Sequence, residues 1–127
     1  MERLTPNLRG TLKERTLQLV DFIDRCYSVS ESKGWHEEER TPGDILALIH
    51  SEVSEALEAF RDTGSVHDVW YRADGKPEGY IIELLDAMIR IGDELGRIIE
   101  PDQAVKLLEE KMIFNAGRDY KHGGKAL

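Results

Sequence analysis

The residues of this chain whose types and spacing point to chemistry are two pairs of carboxylates, Glu52-x-x-Glu55 and Glu83-x-x-Asp86, with 27 residues between the pairs. On a helix, residues three apart lie on adjacent turns with Cβ atoms roughly 5–6 Å apart, so each pair can serve one ligand. At about 100° per residue, Glu52 falls inside the apolar stripe formed by Ile45, Leu48, Ile49, Val53, Ala56, Ala59 and Phe60, and Glu55 lies at its edge. In the second segment Glu83, Asp86 and Arg90 form a narrow polar strip, with Tyr80, Leu84, Ala87 and Ile91 on one flank and Ile82, Leu85 and Ile89 on the other. A helix apolar on both flanks is expected to be largely buried, with its charges aimed into a cleft between helices. An unpaired buried carboxylate costs several kcal/mol or takes up a proton, and one arginine cannot neutralise four acids. A hard divalent cation with oxygen ligands does so, which makes Glu52, Glu55, Glu83 and Asp86 the predicted metal ligands and catalytic carboxylates. A lone E-x-x-E is more often a solvated helix face, and Glu58, Asp93, Glu94, Glu109 and Glu110 are read that way. The second pair and the apolar neighbours of Glu52 and Glu83 set these four apart.

These carboxylates need long helices to hold them, and 3.6-residue periodicity gives four. The first is expected over about Thr11 to Ser32, ended by Gly34. The second starts at Thr41-Pro42, an N-cap followed by proline at the first helical position, and runs to about Thr63 before Gly64. Ser65 to Pro77 reads as a loop with a D-G turn and a short helical turn near Val66 to Tyr71. The third helix is expected from about Pro77 to Ile99 and the fourth from Pro101 to about Ala116, followed by an irregular basic tail from about 117. Nothing alternates with period two for long enough to suggest a sheet. The reading is a single all-α domain spanning 1–127, arranged as a four-helix bundle.

Composition narrows the ligand. The chain of 127 residues carries 25 Asp and Glu against 17 Lys and Arg, a formal net charge of −8, so overall attraction would not hold a nucleic acid polymer. A phosphate ligand would need a metal to mediate. Cys26 is the only cysteine, which excludes an intrachain disulfide and a cysteine-based zinc site. The start, MERLTPNLRGTLKER, has no apolar signal-peptide core, and no run of about 18 apolar residues occurs, so the protein is expected in the cytoplasm and not in a membrane.

With these residues in view, the chain resembles the MazG-like all-α nucleoside triphosphate pyrophosphohydrolase superfamily, whose hallmark is a pair of acidic motifs on successive core helices. The resemblance rests on HSEVSEALEAFRD, on KPEGYIIELLDAMIRIGD and on KMIFNAGRDYKHGGK, and covers about Trp35 to Lys125. Members with the fuller E-E-x-x-E motif carry an acid where this sequence has Ser51. The resemblance implies a nucleoside triphosphate substrate cut between the α- and β-phosphates, Mg²⁺ as cofactor with Mn²⁺ as a substitute, and a homodimer or homotetramer that completes the active site. Lys111, Asn115 and Arg118 match the family's K-x-x-x-N-x-x-R pattern and are expected to bind substrate phosphates. Trp35, in the linker where similar enzymes carry an aromatic, is the expected stacking partner for the base, ahead of Trp70. Lys121, His122 and Lys125 belong to the same stretch, with Lys121 and Lys125 read individually as a solvated basic helix end. One or two ions would offset phosphate charge, and Glu55, at the stripe edge, is the expected proton acceptor. His36, His50 and His67 lack metal-like spacing and read as surface or structural.

Two other classes compete. A non-enzymatic helical interaction module would use the Leu, Ile and Phe faces for a partner and leave the four acids dispensable. A di-iron carboxylate oxidoreductase would need Glu-x-x-His pairs, and no histidine lies three residues after a glutamate.

Overall fold

The computed structural model describes residues 10–119, and these form an all-α domain with one small hairpin. The elements are α1 (Leu12–Ser32), α2 (Pro42–Thr63), β1 (Trp70–Tyr71), β2 (Pro77–Glu78), α3 (Tyr80–Ile98) and α4 (Pro101–Ala116). Lys121, His122 and Lys125, and with them most of the expected basic tail, lie outside the described residues.

Local chemistry sets the helix starts. The Thr11 and Thr41 hydroxyls each accept from the backbone N–H three residues on, and Glu14 and Asp44 reach back to the cap N–H, so both helices open with a full capping box. Proline at the first position begins α2 and α4. Gly64 ends α2 in the left-handed region at φ 67°, which a Cβ would disfavour.

Helix α3 is the centre of the arrangement, packing against both α1 and α2, while α4 lies against α1 and the end of α3. Gly92 and Gly96 let α1 approach closely. A Cβ on Gly92 would meet Cys26 Sγ at 2.8 Å, and one on Gly96 would meet Tyr27 Cβ at 2.7 Å. Ile23, Ala104 and Val105 form a small buried core, extended by Val20, Phe22, Leu95 and Ile99.

Two expectations are corrected. Pro77 does not open α3: Tyr71 and Trp70 pair antiparallel with Pro77 and Glu78, so a two-stranded hairpin replaces both the helical turn near Val66 to Tyr71 and the first residues of the third helix. Gly79, directly after β2 and the N-cap of α3, has φ 133° and is packed so tightly on the Asp68 carbonyl that no side chain would fit. Nor is α3 buried on both flanks. Leu84, Leu85, Met88, Ile89 and Ile91 are exposed in the single chain, as are Val53 and Phe60 on α2; only Glu83, Ala87 and Gly92 of α3 are buried.

Candidate metal centre

The facing turns of α2 and α3 bring three of the four predicted acids together. One carboxylate oxygen each from Glu52, Glu55 and Glu83 lies within 4.8 Å of the other two. Glu52 and Glu83 are only 7% and 8% exposed, although they are carboxylates, whereas Glu55 is open to solvent. Asp86, one turn after Glu83, is partly buried and lines the same cavity without joining the three-oxygen cluster.

Among the described residues a single cation is in an ion pair with this group. Arg90, on the same strip of α3, donates from Nε to Glu52 Oε1 at 2.7 Å. Burial is the strongest influence on Glu52 and raises its carboxyl, yet the hydrogen bonds from Arg90, Glu55 and Glu83 and the Arg90 charge together leave it below the usual carboxylate value. Among the described residues Glu83 has no such partner. Burial, hydrogen bonding to Glu55, the charges of Glu55 and Asp86 and a hydrogen bond to Glu52 push it up to about 7. Asp86 is raised too, first by burial and then by the Glu52 charge, with Lys76 and Arg90 opposing. Carboxyls this close coexist either by sharing a proton or around a cation.

The donor set fits a hard ion. All three groups are carboxylates, the ligand type that Mg²⁺ and Mn²⁺ take, and oxygens on one Mg²⁺ lie about 3–4 Å apart, within a small side-chain adjustment of the observed spacing.

Trp35 lies at the same cavity, 46% exposed, with the Arg40 guanidinium 5.0 Å and the Arg90 guanidinium 5.7 Å from its ring centroid. Arg90 therefore touches both the acid cluster and the aromatic. Trp70 belongs to the hairpin beside Gly79 and lines none of the cavities described. Lys111, Asn115 and Arg118 are not brought to the cavity by their own chain. They are exposed at the end of α4, where Lys111 and Arg118 each lie 5.2 Å from the Phe114 ring.

Several residues were not singled out by sequence. Asp93 is not a solvated charge: it accepts from Ser30 Oγ at 2.7 Å and meets His36 Nε2 at 2.7 Å, tying α1 and the Trp35 linker to α3. Its position, seven after Asp86 and three after Arg90, puts it on the same polar strip, and that periodicity was available. Glu94 is likewise engaged, with Arg97 at 2.6 Å. Arg25, Lys33 and Lys76 line the cavity from α1, its C-cap and the hairpin. Only the crossing of α1 over α3 and the hairpin fold bring them there, so no local pattern marks them.

Comparison with protein-family models, with curated proteins and with solved structures finds no match to this chain.

Proposed function

We propose that this protein is a MazG-like, Mg²⁺-dependent nucleotide pyrophosphohydrolase that converts a nucleoside triphosphate to its monophosphate and pyrophosphate. The observation that carries the reading is the Glu52, Glu55 and Glu83 cluster, with oxygens within 4.8 Å, two of the three groups buried and one arginine between them. Such a cluster is unfavourable without a divalent ion and well suited to one. Mg²⁺ or Mn²⁺ bound there by these three residues, with Asp86 adjacent, would supply polarisation and charge neutralisation at phosphate oxygens. Glu55, the exposed member, would accept the proton of the attacking water through an oxygen not taken by the ion. Water adds at the α-phosphorus, the α–β bridging bond breaks, and the electron pair leaves with pyrophosphate. Trp35 offers the base an aromatic face, and Arg90 holds Glu52 in place.

The uncovered apolar side chains of α2 and α3 support a homodimer or homotetramer in which a second copy covers them and brings its own Lys111, Asn115 and Arg118 toward the phosphates. With such a substrate and cofactor, the reading assigns the protein to the cytoplasm. A panel of nucleotides with Mg²⁺, scored for pyrophosphate against orthophosphate, tests the reading. Pyrophosphate with matching monophosphate is expected, and orthophosphate as the only product would reject cleavage at the α–β bond.

The helical interaction module is the second reading, favoured by exposed Leu107, Met112, Ile113 and Phe114 on α4. It predicts that Glu52→Gln and Asp86→Asn leave function intact, whereas the enzyme reading predicts folded, inactive variants.

A further inference from the structure

The carboxylate cavity, about 750 Å³ in volume, has a second chemical character besides its acids. Five carboxylates line it, from Glu52, Glu55, Glu83, Asp86 and Asp93, and so do four cations, Arg25, Lys33, Lys76 and Arg90. Arg90 is committed to Glu52. Among the described residues neither Arg25 nor Lys33 is in an ion pair, and the pair between Lys76 Nζ and Glu78 Oε1 is a long one at 3.9 Å. Positive charge is thus contributed by two separate elements, α1 with its C-cap and the hairpin, facing one cavity and largely unengaged by protein.

We infer that Arg25, Lys33 and Lys76 form the subsite for the distal, polyphosphate end of the ligand, the part that departs as pyrophosphate. This deepens the reading above and rests on its metal site. The charge balance dictates the order of binding. Among the described residues five acids face four bases, so the cavity does not attract an anion; a divalent ion at the acid cluster reverses the balance, and the three exposed cations then have a partner. A monoanion would satisfy only one of them. A polyanion that touches the acid-bound ion with one phosphoryl group and the α1 and hairpin cations with the next satisfies all. The assignment adds to the sequence expectation, which gave the phosphates to Lys111, Asn115 and Arg118; those side chains do not line the cavity of their own chain.

Calorimetry on the full chain tests this, with Mg²⁺ alone and then inorganic pyrophosphate in Mg²⁺ or in EDTA. Pyrophosphate is expected to bind only with Mg²⁺, about three- to tenfold more weakly to Arg25→Gln, Lys33→Gln and Lys76→Gln, with Mg²⁺ affinity unchanged and Lys106→Gln, outside the cavity, behaving as the unsubstituted chain. Unsubstituted protein gives a second readout: Mg²⁺ with pyrophosphate should shield Lys33 and Lys76, but not Lys106, from acetylation measured by mass spectrometry. Mg²⁺ binding with no pyrophosphate binding, or with equal affinity in all variants and no shielding, overturns the subsite and leaves the metal centre standing. No Mg²⁺ binding overturns both.

Discussion

Replacing Glu83 by glutamine should make the metal-free protein more stable at alkaline pH, the opposite of what losing a buried hydrogen-bonding residue usually does. Glu83 is 8% exposed, and its carboxyl is pushed from 4.5 up to about 7 by burial and by the neighbouring acids. A group that holds its proton more tightly when folded contributes stability that is complete below its unfolded value and lost as pH rises through its folded one. The window here runs from about 4.5 to about 7. That rise corresponds to about 3 kcal/mol as an upper bound, so wild type should lose about that much between pH 4.5 and pH 8 in EDTA through this residue. Glutamine keeps the shape and a hydrogen-bond donor but has no charge to bury. Glu83→Gln should therefore come within about 1 kcal/mol of wild type at pH 5 and exceed it at pH 8 by up to about 3 kcal/mol, on the order of 10 °C in Tm for a domain of this size. Thermal unfolding followed by circular dichroism, at one protein concentration and from pH 5 to 8.5, reads the difference. Adding Mg²⁺ should reverse the ranking at pH 8, because only wild type gains the binding free energy. A variant less stable than wild type at pH 8 in EDTA, or a gap that stays constant down to pH 5, would refute the reasoning.

Further expectations can be checked alongside. Mg²⁺ must displace the Glu83 proton, so calorimetric affinity should rise about tenfold per pH unit below about pH 7 and level off above it; a flat profile would count against the coupling. Gly96→Ala should destabilise by about 1–2 kcal/mol in denaturant melts, because its Cβ would come within 2.7 Å of Tyr27 Cβ and overpacking outweighs the gain in helix propensity; a more stable variant would show that α1 and α3 are not so closely packed. Asp93→Asn keeps the shape but weakens the ties to Ser30 and His36, so in a Trp70→Phe background Trp35 should become easier to quench with acrylamide, at about 1 kcal/mol of stability. Unchanged quenching would separate Asp93 from the position of Trp35.

How much was legible depended on how local each signal was. The helix boundaries were legible because Thr11, Thr41, Gly64 and Pro101 act on their own turn of backbone. The hairpin was not, since two-residue strands have no periodicity. Pro77 looked like a helix start because nothing in sequence reveals that Gly79 turns back against the Asp68 carbonyl. The acid pairs were legible from spacing along single helices, and the meeting of Glu52, Glu55 and Glu83 followed once α2 packed on α3. Arg25, Lys33 and Lys76 were illegible for the converse reason: their place at the cavity depends on how α1 and the hairpin cross α3, and each taken alone is an ordinary surface cation. The apolar flanks of α3 were read as interior, yet one chain does not cover them; periodicity reports that a face avoids water without reporting whose surface it meets.

A crystal grown with Mn²⁺ and measured at the manganese absorption edge would locate the ion by its anomalous signal. The account predicts a peak among the carboxylate oxygens of Glu52, Glu55 and Glu83, lost in Glu52→Gln crystals. Saturating Mn²⁺ with no peak there, or a peak held by other residues, would contradict it.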